Sequence, residues 1–535
     1  VTDSTGRTML RRYARSLGPF ASCRSTHRLD FSELRWRGTY RIHVAGVEPV
    51  AVRVGNDVYA GAADSLLVYM RQQRSGWNPV FKDSVHRRDG IVVDHPTLGG
   101  RFIAVSGGWA DASDYLQYVA TSANATYIML SAMRDFPHAF ADRHDGPGGP
   151  RANGVPDVLD ESQHGLAWLG RMFHGDSVVF NQLGDDRDHA FLDLPSTDSS
   201  DYGWGKGRER PIYPCTSRPQ GLLQHRNRST GVASTAGKIA SAFAVAAQVY
   251  DSLDAALAGA FRKRAKNAYT LGFYKPGVCQ TAPAGAPYFY EEDNWVDDME
   301  LAAAALASAG GGDTDSARLV REGLEFAQRE PVTPWMGADT ASHYQWYPFL
   351  NLGHAELSRL VKGADRDRLT RHYRDGIAAT VRRANNGFRI GVPFIWCSNN
   401  LVVAFATQAM IYRGLTGDRR FRNYEQAAID WLFGVNPWGV SMFIGLGTNF
   451  PRDPHSVVAK QLGLQLTGGL VDGPVYRSIF GSLLGVRLQE PDEYALFNDA
   501  FIVYHDDMGD YSTNEPTMDG TASAMWLLAA LAPRR

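Results

Sequence analysis

Two aspartates three residues apart, Asp111 and Asp114, stand in "GGWADASDYLQY" behind Gly107 and Gly108. Far along the chain, "YHDDMGDYSTNEPTMDG" places Glu515 before Pro516 and an apolar C-terminal stretch. Carboxyl groups do acid–base work in pairs: an ionised one takes a proton from water, and a protonated one gives a proton to a departing oxygen. The same residues also suit helix starts, where free N–H groups and the helix dipole favour Asp and Glu. On that reading Asp111 and Asp114 open a helix over Tyr115 to Arg134, and the N–H groups that make the cap also keep a base ionised. Capping, however, asks for neither a second carboxylate nor Trp109. Glu515 would likewise cap the last helix, and as an acid it would need repulsion from carboxylates across a cleft, with burial under aromatic rings, to hold its proton. A third segment, "WLFGVNPWGVSMFIGLGTNFPRDPHSV", brings His455 near Trp438, Asn449 and Arg452, side chains able to bond and stack on a sugar.

These loops need a large frame. The chain has 535 residues, enough for one large domain and a small one, or for two to four ordinary domains. Its 55 Lys and Arg against 57 Asp and Glu give no field favouring nucleic acid or an anionic membrane, so an uncharged or small partner is expected. No run of about 18 apolar residues occurs, and "VTDSTGRTMLRRYARSLGPF" lacks the apolar middle of a secretion signal. Cys23, Cys215, Cys279 and Cys397 lie far apart, with no C-x-x-C pair, which indicates neither a zinc ribbon nor a dense disulfide framework and leaves the redox compartment open.

Residues 1–57 form a small β module, because "GTYRIHVAGVEPVAVRVG" reads as two or three short Val-rich strands with turns. The module is too short for a full immunoglobulin-type sandwich and is expected to be a truncated or reduced one. Residues 58–535 are mainly α. In "GVPDVLDESQHGLAWLGRMF" apolar residues recur at steps of three and four, with Pro156 where a first turn accepts it. Counting this one, there are about twelve such segments, one of them spanning Ser342 to Val361. Several, including "KIASAFAVAAQVY" and "LVVAFATQAMIY", are apolar over most of their circumference and must be buried on more than one side. Twelve helices in two layers suit a toroid of six helical hairpins, whose long loops carry the function.

The segments "GGWADASDY", "FGVNPWGVSMFIGLGTNFPRDPH" and "DYSTNE", in that order and separated by helical stretches, resemble glycoside hydrolase family 9, a family of cellulase-type β-glucanases. "NGVPDVLDESQHGLAWL", "FIWCSNN" and "FRNYEQAAIDWLFGVNP" support it, and the resemblance runs from about Leu66 to the C-terminus. It implies an (α/α)6 barrel, often preceded by an immunoglobulin-like domain, and hydrolysis of β-1,4-glucosidic bonds with inversion. It gives the base role to Asp114, a share in holding the same water to Asp111, and the acid role to Glu515. Inversion places base and acid about 6.5 to 9.5 Å apart, with room for that water. His455 would bind a glucosyl unit. Trp109, Trp396, Trp438, Tyr511 and Arg452 are further candidates for sugar contacts, with Trp204, Tyr344 and Trp346 behind them.

The family likeness implies a secreted or periplasmic monomer acting on a β-glucan polysaccharide or oligosaccharide, endo-acting, with no cofactor required for catalysis and structural calcium allowed. An exo-acting β-glucosidase or glucosaminidase and a catalytically weak glycan-binding protein are the alternatives. Three departures from the commonest pattern stand out: Ser113 in place of glycine in the base turn, Val457 in place of an arginine after His455, and Met508 near the acid. The acidic stretches "GDDRDH" (Gly184 to His189) and "EEDNWVDDME" (Glu291 to Glu300) match no EF-hand spacing and read as solvated loops, with Asp297, Asp298 and Glu300 as alternative cleft residues.

Overall fold

The computed structural model describes residues 1–190, 193–286, 290–311, 315–337 and 345–534. Among them are twelve helices of eight residues or more. Six form an inner ring: Val119–Asp135, Ala233–Tyr250, Val296–Ala309, Gly353–Leu360, Ser398–Thr416 and Met518–Leu531 each pack on the next, and the last packs on the first. The other six lie outside and alternate with the inner ones along the chain. This is the (α/α)6 barrel expected from the sequence.

The two layers differ in the way the side-chain pattern requires. Ala233–Tyr250 and Met518–Leu531 are buried around nearly their whole circumference. Outer helix Ser316–Arg329 buries only Leu319, Gly323, Phe326 and Ala327, a stripe at steps of four, three and one. Of the expected helix from Ser342 to Val361, residues 342–344 lie outside the described ones, and the helix itself begins at Gly353. Pro348 lacks an N–H and disfavours helical geometry in the residue before it, so residues 345–352 are irregular.

At the N-terminus, strands Gly38–Val44 and Val47–Val54 make an antiparallel hairpin, and Arg15–Ser16 pairs with His27–Arg28. These are two separate two-stranded sheets, with a small core of Leu10, Leu34 and Tyr40. The segment leans on the barrel through Phe20, which joins the main core, and through Arg28 Nη2, which donates to the Gly387 carbonyl at 3.0 Å. A disulfide joins Cys215 to Cys279, while Cys23 and Cys397 stand outside it, the Cys397 thiol donating to Asp472 at 3.1 Å. None of the described helices is long and apolar enough to cross a membrane.

The acidic stretches are not solvated loops. Asp297, Asp298 and Glu300 are buried, with Lys238 bonded to Glu292 and, at 2.6 Å, to Asp298, and with His354 Nδ1 2.7 Å from Glu300. No group of three or more His, Cys, Asp or Glu among the described residues is arranged to hold a metal ion. Burial, then repulsion from Asp297, Glu300 and Asp298, raises the Glu330 carboxyl to about 10. A carboxyl raised by folding contributes stability that is full below its unfolded value and is lost as pH climbs toward the folded value. Glu330→Gln is therefore expected to melt about 2 °C above the parent at pH 8.5 and to match it near pH 4. Parallel melting curves across that range would contradict this.

Candidate active site

The turn that carries the aspartates is fixed from below. Gly108 has a φ of 77°, and a Cβ there would lie 2.6 Å from the Trp168 ring and 2.8 Å from Gln117, so only glycine fits. Trp109 is 0% exposed; its indole N–H donates to Glu161 at 2.8 Å, and Arg74 grips the same carboxylate with two bonds. Trp109 therefore anchors the turn to helix Asp157–Met172 and offers no face to a ligand, contrary to the sequence reading.

Neither aspartate starts a helix. Helix Val119–Asp135 has no acidic residue in its first turn. The Leu116 N–H is taken by Asp114 Oδ1 at 2.9 Å, and Gln117–Tyr118 pairs as a short strand with Val178–Leu183. Glu515 is no cap either, since the last helix starts at Met518 behind Thr517 with no side-chain cap. Instead the Met518 N–H donates to the Asp111 carbonyl at 2.8 Å, joining the base turn to the C-terminal segment.

Burial, not N–H donation, then dominates the two aspartates. Asp111 is buried, accepts from Thr121 at 2.9 Å and from the Tyr290 hydroxyl, and is raised well above the carboxylate range by desolvation and by Asp519 and Asp114. Asp114 is 15% exposed and raised to about 6 by desolvation; the nearby His189 opposes this and Glu515 adds to it. Glu515 Oε1 accepts from the Ser113 N–H at 3.0 Å and from the Ser113 hydroxyl. The residue preceding Asp114 thus touches the carboxyl of Glu515, 402 positions away.

Around this pair stand rings and one imidazole. Trp396 and Tyr511 lie 5.4 Å apart at 33°, and His455 is 6.0 Å from Tyr511. His455 Nδ1 bonds the Met508 carbonyl and its N–H donates to the Asn514 carbonyl at 3.0 Å, which ties it to the Glu515 segment and leaves Nε2 for a ligand. Met508 thus supplies backbone oxygen where a polar side chain was expected. Arg452 is exposed and stacks on Phe450 at 3.7 Å, with no contact to these rings. Trp438 is a core residue, 4% exposed, edge-on to Trp431 and bonded to Asn498 at 2.9 Å, so the expectation of a sugar contact there is corrected. Trp204 donates to the Glu209 carbonyl at 2.8 Å, Trp346 is half-buried against the core, and Tyr344 lies outside the described residues.

Two site residues escaped the sequence reading. His189 sits in the supposed acidic loop with Nδ1 2.8 Å from Asp188 and Nε2 3.8 Å from Asp114; Asp188 and Asp114 hold it protonated, at about 10, against the cost of burial. Asp472 is buried behind Glu515, takes the Trp396 indole N–H at 2.8 Å and the Cys397 thiol at 3.1 Å, and donates its own N–H to the Glu515 carbonyl at 2.9 Å. The adjacent Asp188 and His189 in sequence were the only available signal for the first; nothing local marks the second.

A toroid of six helical hairpins with a cluster of carboxyl groups from both ends of the chain among aromatic rings defines the class: an (α/α)6 protein with a carboxyl-lined site. The chain belongs to glycosyl hydrolase family 9, whose model matches residues 59–528. It is 26% identical to Endoglucanase C of Cellulomonas fimi over 96% of this chain and 47% of that protein, so it spans about half that relative's length. It is 22% identical to Endoglucanase 5 of Arabidopsis thaliana over 88% of this chain and 74% of that one. The crystal structure of a metagenome-derived family 9 endoglucanase superposes with a TM-score of 0.76 at 26% identity, covering 100% of this chain and 92% of that one.

Proposed function

We propose that the chain is an inverting glycoside hydrolase that cuts β-1,4-glucosidic bonds within cellulose or a related β-glucan. The observation that carries this is the pair of hydrogen bonds from Ser113 to Glu515, which sets the Asp111–Asp114 turn against a carboxyl from the far end of the chain. Asp114 takes a proton from water as that water's oxygen bonds to the anomeric carbon. Glu515 gives its proton to the glycosidic oxygen as the C–O bond breaks, so one water is consumed and both carboxyl groups are reset by solvent. Asp111 assists in holding the water: each of its oxygens accepts one protein bond and keeps a lone pair for it. His455, Trp396 and Tyr511 bind the glucosyl units beside the bond. The relatives named endoglucanases support the endo mode.

In this reading residues 58–535 are the catalytic unit and 1–57 an appended β module. The Cys215–Cys279 disulfide supports a secreted or periplasmic setting. The test is reducing-sugar release from carboxymethyl-cellulose, mixed-linkage glucan, xyloglucan and chito-oligosaccharides. Internal cleavage of a β-1,4-glucan, with a ladder of products, is expected. Monomer alone would select an exo-acting enzyme, and binding without turnover would select a glycan-binding protein.

A base must be ionised to act, so activity should fall as pH drops through the Asp114 value of about 6. His189 is the cation that opposes a further rise. Its ring is 44% exposed, which weakens but does not abolish its pull. His189→Gln is expected to move the acidic limb of kcat/KM up by about one pH unit; an unmoved limb would contradict this placement.

A further inference from the structure

Ser113 stands where the family resemblance implies glycine, and its side chain points at Glu515. Among the described residues, the Ser113 N–H at 3.0 Å and the Ser113 hydroxyl make the only hydrogen bonds to the Glu515 carboxyl, and both end on Oε1. Tyr69 and Asp472 hold only the surrounding backbone: the Tyr69 hydroxyl donates to the Pro516 carbonyl at 2.6 Å, and the Asp472 N–H to the Glu515 carbonyl. The charge of Glu515 reaches Asp114, Asp472 and His189, none of which is hydrogen-bonded to its carboxyl, and Tyr511 stands nearby with its hydroxyl on the Leu484 carbonyl at 2.6 Å. The orientation of the carboxyl therefore depends on one residue.

A carboxyl oxygen that accepts two donors has both lone pairs in use and is a poor place for a proton. We propose that Ser113 is a positioning residue that holds Oε1 of Glu515 with its N–H and hydroxyl, so that Oε2 carries the proton to the departing glycosidic oxygen. A glycine would supply the N–H alone and leave the carboxyl one bond to pivot on. The inference rests on Glu515 being the acid, and it turns the serine from a departure of the base turn into a part of the acid's geometry.

The experiment compares Ser113→Ala, Ser113→Thr and Glu515→Gln on two substrates: an unmodified cello-oligosaccharide and a cellobioside with a 2,4-dinitrophenyl leaving group, which departs without protonation. Ser113→Ala is expected to lower kcat on the oligosaccharide about tenfold, the upper end of the scale of one lost neutral hydrogen bond. KM should hold, the activated substrate should change by less than about twofold, and Ser113→Thr should restore the rate. Equal losses on both substrates, or no loss on either, would overturn the role of Ser113. Full activity of Glu515→Gln on the oligosaccharide would instead overturn the acid assignment beneath it. Should Ser113→Ala melt well below the parent, Ser113→Gly, which keeps the N–H and lacks the hydroxyl, carries the same comparison.

Discussion

Glu515→Gln is expected to lower kcat on a β-1,4-glucan by about three orders of magnitude, within the range of a lost general acid. The amide keeps the size of the carboxyl, and its carbonyl oxygen still accepts both bonds from Ser113, so folding and KM should change little. What is lost is the proton for the leaving oxygen. A leaving group that needs none should therefore recover most of the rate: with the dinitrophenyl cellobioside the loss should shrink to about tenfold or less. A loss of equal size on both substrates would mean that Glu515 shapes the cleft and does not protonate.

Asp114→Asn should cost about as much, with the opposite dependence on substrate. The base acts on water whatever the leaving group, so kcat should fall roughly a thousandfold on both substrates. Asparagine preserves the oxygen that takes the Leu116 N–H at 2.9 Å, so the turn keeps its shape. An anionic nucleophile that needs no deprotonation, such as azide, should restore turnover and give a glycosyl azide inverted at the anomeric carbon. Activity that survives in Asp114→Asn, or a variant that azide does not rescue, would move the base elsewhere, with Asp111 of the same turn the next to test.

The barrel was legible because its two layers leave different marks. Inner helices such as Ser398–Thr416 are apolar over most of their circumference, outer ones such as Ser316–Arg329 carry a stripe, and periodicity registers both. The local state of the catalytic turn was not legible. Asp111 and Asp114 look like the opening of a helix, and what prevents it is the pairing of Gln117–Tyr118 with a strand about 60 residues on, together with a carboxylate that takes the Leu116 N–H. Trp109 and Trp438 show a similar limit: an aromatic in a Gly-rich loop reads as a sugar platform until its partners, Glu161 and Asn498, are seen. The state of the base was misjudged for the same reason. A helix terminus would have kept it ionised, whereas burial sets Asp114 at about 6 and makes His189 matter.

In the proposed mechanism Asp472 bears on substrate placement as well as on the acid. Asp472 ties the Trp396 indole to the backbone of the Glu515 segment, so the ring that stacks toward Tyr511 and the group that gives the proton share one support. A sugar seated on that ring is thereby placed relative to the acid, which is how binding away from the reacting bond becomes orientation at it.

The central claim is a single displacement by water, with Asp114 and Glu515 on opposite sides of the bond. Proton NMR of the products formed in the first minutes of cello-oligosaccharide hydrolysis tests it most directly. Inversion makes the new reducing ends appear first as the α-anomer, which relaxes to the equilibrium mixture by mutarotation. New ends that appear first as the β-anomer would mean a double displacement through a covalent intermediate and would contradict it.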